Sequence, residues 1–239
     1  MSLATARRRP LATRRPAAGE VGFRQVLRIL ARLEKAHGRP RPGVRSEPLD
    51  ELILTVLSQH TNDRNRDRAY AALRERFPRW EDVLAASDGA VAKAIAVGGL
   101  ANQKGKRIRR ILTRIRAEHG DLDLGFLKRW SDAKVGEYLR SFVGVGEKTA
   151  NCVLLFALGR PAFPVDTHIH RLSIRLGLVP KGSDAAAVHQ RLGTLVPGRD
   201  AYAAHLNLIR HGREVCHARR PACGACVLAD LCPSRAAGD

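Results

Sequence analysis

From Phe23 onward the apolar residues of this chain recur at three- and four-residue spacing, and no stretch alternates apolar with polar as a half-buried strand must. Phe23, Val26, Leu27, Leu30 and Leu33 open the pattern, and Gly38 is placed to end that helix. After a Pro-rich loop from Arg39 to Pro48, a second helix carries Leu52, Ile53, Val56 and Leu57. The period continues through Val91, Ile95, Ile108, Ile111, Leu112 and Ile115, and again through Val135, Leu139 and Phe142. Ala150 to Leu158 is apolar on nearly every face, which predicts a helix buried near the centre of a domain. Helices over Ile169–Leu176, Ala185–Leu195 and Ala201–Arg210 follow, and no internal repeat is found. The chain reads as all-α.

Its 239 residues suffice for one large domain or two ordinary ones. Pro161 and Pro164 interrupt the chain after the buried helix and mark a boundary. The first helix is too short to stand alone, so it is expected to pack against the C-terminal helices. That gives a discontinuous domain of residues 21–49 plus 161–239, with residues 50–160 inserted as the other domain. A cleft between two such lobes is a common ligand site. Residues 1–20 are rich in Arg, Pro and Ala and read as a disordered basic arm, either a phosphate attractor or a tolerated extension.

Forty-two Lys and Arg against 23 Asp and Glu leave a net charge of +19, which calls for a polyanionic partner. The longest apolar run, Cys152 to Leu158, is far below the ~20 residues that span a bilayer, and a membrane surface has only charge to recommend it. The opening residues lack the long apolar core of a signal peptide, so the expected setting is intracellular, with nucleic acid as the partner.

Five cysteines, four of them crowded near the C-terminus, disfavour a secreted disulfide framework. Cys216, Cys223, Cys226 and Cys232 form C-x6-C-x2-C-x5-C. Four thiolates so close can converge on one centre, either tetrahedral zinc or an iron–sulfur cluster. Zinc sites favour two short pairs, and here only the middle pair is short, so the spacing favours 4Fe–4S over zinc. Arg219 and Arg220 lie between the first two ligands, where they either meet phosphates or only balance the cluster's charge. Cys152, in the buried helix, reads as a small core residue.

Val143-Gly144-Val145-Gly146 joins two helical patterns. Glycines there let the backbone approach a partner closely, and the free N–H groups opening the second helix favour an anion, so Gly144 and Gly146 are candidate phosphate contacts. Lys148 sits in the first turn of that helix, where the dipole disfavours a cation and eases loss of its proton. It is either a solvated lysine or a nucleophilic amine. Asp166, in Val165-Asp166-Thr167-His168, either caps the next helix or faces Lys148 as a general base or electrostatic stabiliser.

Gly144-Val145-Gly146-Glu147-Lys148-Thr149-Ala150-Asn151, then Val165-Asp166-Thr167-His168, then His211-Gly212-Arg213 leading into the cysteine loop, together resemble the endonuclease III family. These are bacterial DNA glycosylases and apurinic/apyrimidinic (AP) lyases of the helix–hairpin–helix superfamily, and the resemblance runs from about residue 22 to 235. It implies a six-helix barrel bearing the hairpin, an iron–sulfur lobe completed by the N-terminal helix, and DNA across the cleft between them. A damaged base, typically an oxidised pyrimidine such as thymine glycol, would be turned out into a pocket between the lobes. At the matching positions Lys148 would attack C1′ and expel the base, and Asp166 would assist deprotonation. β-Elimination from the resulting Schiff base would then cut the strand. The cluster would organise the DNA-binding loop and take no part in the chemistry.

The same resemblance assigns DNA contacts. In Leu57-Ser58-Gln59-His60-Thr61-Asn62-Asp63, His60 stands nearest the position that fills the gap left by the flipped base, with Gln59 beside it. In Gly99-Leu100-Ala101-Asn102-Gln103-Lys104, Leu100 is the apolar wedge against the opposite base, and Ala101 replaces the family's common aromatic. Lys104 opens a basic run and is expected to touch phosphate. The protein is expected to act as a monomer on double-stranded DNA in a bacterial cytoplasm or nucleoid. A monofunctional adenine-mismatch glycosylase is the nearest alternative; Lys148 and the short span after Cys232 argue against it. A non-catalytic DNA-binding metal-loop protein would make Lys148 and Asp166 coincidental.

Overall fold

A computed structural model describes residues 22–236, so the basic arm expected over residues 1–20 lies outside the described residues. Among these residues every regular element is helical. In order they are α1 (Phe23–His37), α2 (Pro48–Leu57), α3 (Asp63–Arg76), α4 (Trp80–Ala85), α5 (Asp88–Ala94), α6 (Ala101–His119), α7 (Asp132–Arg140), α8 (Glu147–Cys152), α9 (Thr167–Arg175), α10 (Ala185–Leu195), α11 (Ala201–Glu214) and the short α12 (Pro233–Ala236). None is long and apolar enough to cross a membrane.

Local chemistry sets the boundaries. Pro48 occupies the start of α2, where its missing N–H costs nothing. Asn62, Ser131, Asp166 and Asp184 each accept a hydrogen bond from the backbone N–H three residues on, capping α3, α7, α9 and α10. Gly38 follows α1 and Gly120 follows α6, both at positive φ.

Two apolar cores form. One gathers α2 to α8, from Leu49 to Ala157, with Leu52, Ile53, Val56, Ile108, Leu112, Leu139 and Val153 wholly enclosed. The other joins Val26, Ile29 and Leu33 of α1 to Ile169, Leu172, Val188, Leu192 and Leu208 of α9 to α11, so the N-terminal helix completes the C-terminal lobe. Leu155 belongs to this second core while its neighbours Val153 and Leu154 belong to the first, so one segment serves both lobes.

That segment departs from the simple helix read over Ala150–Leu158. After Cys152 the chain widens into a π-helical turn, Val153–Ala157. The wider turn re-aims side chains just where the segment passes from one core to the other, a setting in which π-bulges recur. Beyond it Arg160 donates to the carbonyls of Trp130 (2.6 Å) and Leu127 (2.9 Å), tying the exit of the barrel segment to the start of α7. Phe163, Pro164 and Val165 then run buried and non-helical into the second lobe.

Candidate active site

Between the lobes lies an open cleft of about 1070 Å³, lined by residues of α2, α3, α8, α9 and α11. Lys148 and Asp166, separate in sequence, both line it, with Glu51, Thr55, His205 and Arg213.

The hairpin delivers Lys148. Val145 is buried and anchors the turn, while Val143 stands 73% exposed at its tip. Gly144 has φ +83°, a backbone that favours glycine, and the Arg107 side chain lies against it so closely that an added Cβ would have to displace it. Gly146 caps α8 in an extended conformation and faces open space, and Lys148 follows in the first turn, half-buried. Glu147 is turned away, ion-paired with Arg140 (3.0 Å) and 3.5 Å from Nε2 of His189. The Gly turn therefore presents N–H groups outward and the lysine inward.

Asp166 caps α9, its Oδ1 accepting from the Ile169 N–H at 2.8 Å. The cap fixes the carboxylate's direction, so the two alternatives for Asp166 are compatible in one side chain. Behind it His205 is buried, and its Nδ1 donates to the Pro164 carbonyl at 3.0 Å. Burial holds His205 neutral down to about pH 4, with Asp166 pulling its pKa up and Lys148 pushing it down, so the imidazole senses both charges. Arg213 of α11 bonds the Asp63 carboxylate of α3 across the cleft at 2.5 Å, joining the lobes at its rim.

His60 and Leu100 project from the loops that follow α2 and precede α6. Both adopt left-handed backbone (φ +52° and +50°), and Leu100 is 48% exposed. Gln59 donates from Nε2 to the Gly144 carbonyl at 3.1 Å and accepts from Arg107, so it braces the hairpin against the first loop.

Lys104 does not reach phosphate. It is 2% exposed, and its ammonium donates to the carbonyls of Leu57 and Gly98, each at 2.8 Å. It lies on the stripe of α6 that also carries Ile108, Ile111 and Ile115, which turns it inward. Those two carbonyls stand just before the His60 and Leu100 loops, so one buried side chain ties both loops to α6.

The four C-terminal cysteines line one cavity together with Leu172, Leu176 and Leu228. No disulfide joins them. The Leu228 N–H (3.4 Å) and His211 Nε2 (3.4 Å) meet Cys226 Sγ, and Arg175 donates to Cys216 Sγ at 3.3 Å. Burial and the three neighbouring cysteines push the Cys226 thiol up, a conflict that binding to iron removes. Four sulfurs around one apolar cavity, met by N–H donors, fit an iron–sulfur cluster. Arg219 and Arg220 lie exposed on the loop between Cys216 and Cys223, and Arg220 is held at φ +50°.

Sequence reasoning gave no role in the cleft to Glu51, His205 or Arg107, and quoted Arg213 only within the run leading into the cysteine loop. Glu51 alone left a signal, as an acid flanked by Leu49, Leu52 and Ile53 on a helix that otherwise reads as core.

Comparison with known proteins shows the family to which the chain belongs. Residues 53–197 match the profile of the HhH-GPD superfamily of base excision DNA repair proteins, and residues 216–232 match the iron–sulfur binding domain of endonuclease III. Over 165 residues the chain is 40% identical to a putative DNA glycosylase of Arabidopsis thaliana, covering 69% of this chain and 56% of that protein. It is 33% identical to endonuclease III of Escherichia coli K12, covering 86% of this chain and 93% of the relative. A trapped covalent intermediate of an endonuclease III with DNA superposes with a TM-score of 0.78 at 26% identity, covering 91% and 99% of the two chains.

Proposed function

The chain belongs to the HhH-GPD superfamily of base excision DNA repair proteins, and from that premise we propose how its own residues do the work. The protein is a DNA glycosylase with AP lyase activity of the endonuclease III kind, and it carries a 4Fe–4S cluster on Cys216, Cys223, Cys226 and Cys232. Its substrates are oxidised pyrimidines such as thymine glycol in duplex DNA, and it acts as a monomer.

The observation that carries the mechanism is the meeting of Lys148 and Asp166 in one interlobe cleft. The hairpin N–H groups hold a phosphate, which sets the register of the strand. His60 and Leu100 enter the duplex from the barrel side, and the target nucleotide turns into the cleft. The neutral Lys148 amine attacks C1′, the bond to the base breaks, and its electron pair leaves with the base. The Lys148 Schiff base then acidifies the C2′ proton, and β-elimination cuts the strand on the 3′ side. Asp166, fixed by its cap bond to α9, takes up protons and offsets positive charge at the sugar. The cluster, when bound, ties four cysteines together and so fixes the loop bearing Arg219 and Arg220.

Borohydride trapping on a thymine glycol duplex tests this reading. The parent is expected to crosslink to DNA and Lys148→Gln to lose the crosslink. Base release without a crosslink in the parent would make the enzyme monofunctional and remove Lys148 from its role.

A further inference from the structure

Of the acidic side chains that line the cleft, Glu51 is the most deeply buried, and the mechanism above does not use it. Glu51 lies in the first turn of α2, flanked by Leu49, Leu52 and Ile53 of the barrel core, and is 7% exposed. A carboxylate so placed is costly to bury. Among the described residues only hydroxyls bond it: Ser46 Oγ donates to Oε2 and Thr55 Oγ1 to Oε1, each at 3.1 Å. Both Glu51 and Thr55 line the cleft with Lys148.

Other charged and titratable groups face it from three sides. Lys148 and Cys152 approach from α8, Arg66 and Tyr70 from α3, and Asp50 precedes it on α2. The two hydroxyls, Lys148 and Arg66 all favour the ionised form, yet burial outweighs them and the carboxyl sits above its ordinary value. A carboxyl that holds its proton more tightly than usual, in the same cleft as the nucleophile, has one ready use, the donation of that proton.

We infer that Glu51 is a third catalytic group of this site, a carboxylic acid that protonates the base as it leaves. The inference rests on Lys148 being the nucleophile. Lys148 nitrogen supplies the electron pair of the new bond to C1′, and the pair of the broken bond departs with the base. The Glu51 proton goes to that base, leaving a carboxylate. The nitrogen that has attacked C1′ carries a surplus proton, and its transfer to Glu51 restores the acid. No proton is left over, and no outside reagent is required.

The role is confined to one step, which makes it separable. A duplex bearing a preformed abasic site has no base to expel, so it needs Lys148 but not Glu51. In holoenzyme carrying Glu51→Gln, single-turnover release of thymine glycol is expected to fall by about 100-fold or more at neutral pH, 100-fold being the lower end of the range for general acid catalysis. Borohydride trapping and strand cleavage at the abasic site are expected to stay within about twofold. The parent-to-variant ratio of base release should shrink as pH rises through the Glu51 value, because only the protonated carboxyl contributes.

Equal losses on both substrates would reduce Glu51 to a folding or positioning role, and no loss on either would remove it from the reaction. If Glu51→Gln does not fold, Thr55→Val serves instead. Losing that hydroxyl raises the Glu51 value, so the fall in base release with pH must move to higher pH, and an unmoved limb overturns the inference. Absence of trapping at the abasic site in the parent would sink the Lys148 reading itself, whatever the Glu51 variant does.

Discussion

Replacing Lys104 by Met separates two accounts of a residue that the sequence places in a basic run. Methionine keeps the length and apolar stem but removes the ammonium that holds the Leu57 and Gly98 carbonyls at 2.8 Å. Hydrogen bonds to a charged donor contribute about 1.5–3 kcal/mol each, so two set a gross loss of about 3–6 kcal/mol. Part returns, because burial disfavours the charged lysine and lowers its pKa, with Arg107 adding to the effect. A net loss of about 3 kcal/mol follows, roughly 6–12 °C in melting temperature for a chain of this size. Base release should slow as well, because the His60 and Leu100 loops lose their common tie. The salt dependence of DNA binding should not change, since a buried ammonium neutralises no phosphate. The assays are a thermal melt and binding isotherms over a salt series. An unchanged melting temperature, together with a log–log salt slope reduced by about 1, would mean that Lys104 reaches the DNA after all.

Cys226→Ser should lose iron and sulfide by elemental analysis and weaken DNA binding, because the loop to Cys216 is then released. Arg219→Gln with Arg220→Gln should keep the cluster but lower the salt slope by about 2, at roughly 0.9 per phosphate; a constant slope would leave both arginines in solvent. Asp63→Asn breaks the bridge to Arg213, whose two side chains are each 45% exposed, so the loss at neutral pH should stay below about 1 kcal/mol. Arg213 holds the Asp63 carboxylate below its ordinary value, so that stability is present above about pH 4 and lost as pH falls further. The parent and Asp63→Asn melting curves should therefore converge below pH 4. Buried His205, at about 4, contributes stability that falls in both proteins between about pH 6.5 and 4.

α3, with only Ala69 and Leu73 buried, went unread, while helices such as α1, α2 and α6 were legible because burial imposes a period on a chain, and the Gly38 stop of α1 because its signal is local. The cysteine spacing and the Gly turn were legible for the same reason, since the chemistry is local. Lys104 was readable in principle, four residues before Ile108 and seven before Ile111, but charge was given more weight than period. Nothing local foretells the π turn at Val153–Ala157, which answers to two cores at once. Arg107 against Gly144, Arg213 against Asp63 and His205 behind Asp166 are pairings across the fold, and no spacing rule reaches that far.

Those long-range pairings explain how strained loops survive. Among the described residues only His60, Leu100 and Arg220 take left-handed backbone without being glycine. Each such residue costs about 1–3 kcal/mol and persists only where its surroundings over-determine it. The surroundings here are specific. The two carbonyls bonded by Lys104 stand three residues before His60 and two before Leu100, while Cys216 and Cys223 bracket Arg220. A free loop would relax such strain by turning its side chain back onto the protein surface. Loops pinned this close to the strained residue cannot, so His60, Leu100 and Arg220 stay presented outward before any DNA arrives. The ordering cost of those loops is thus met in folding, so a partner that engages them meets them already ordered.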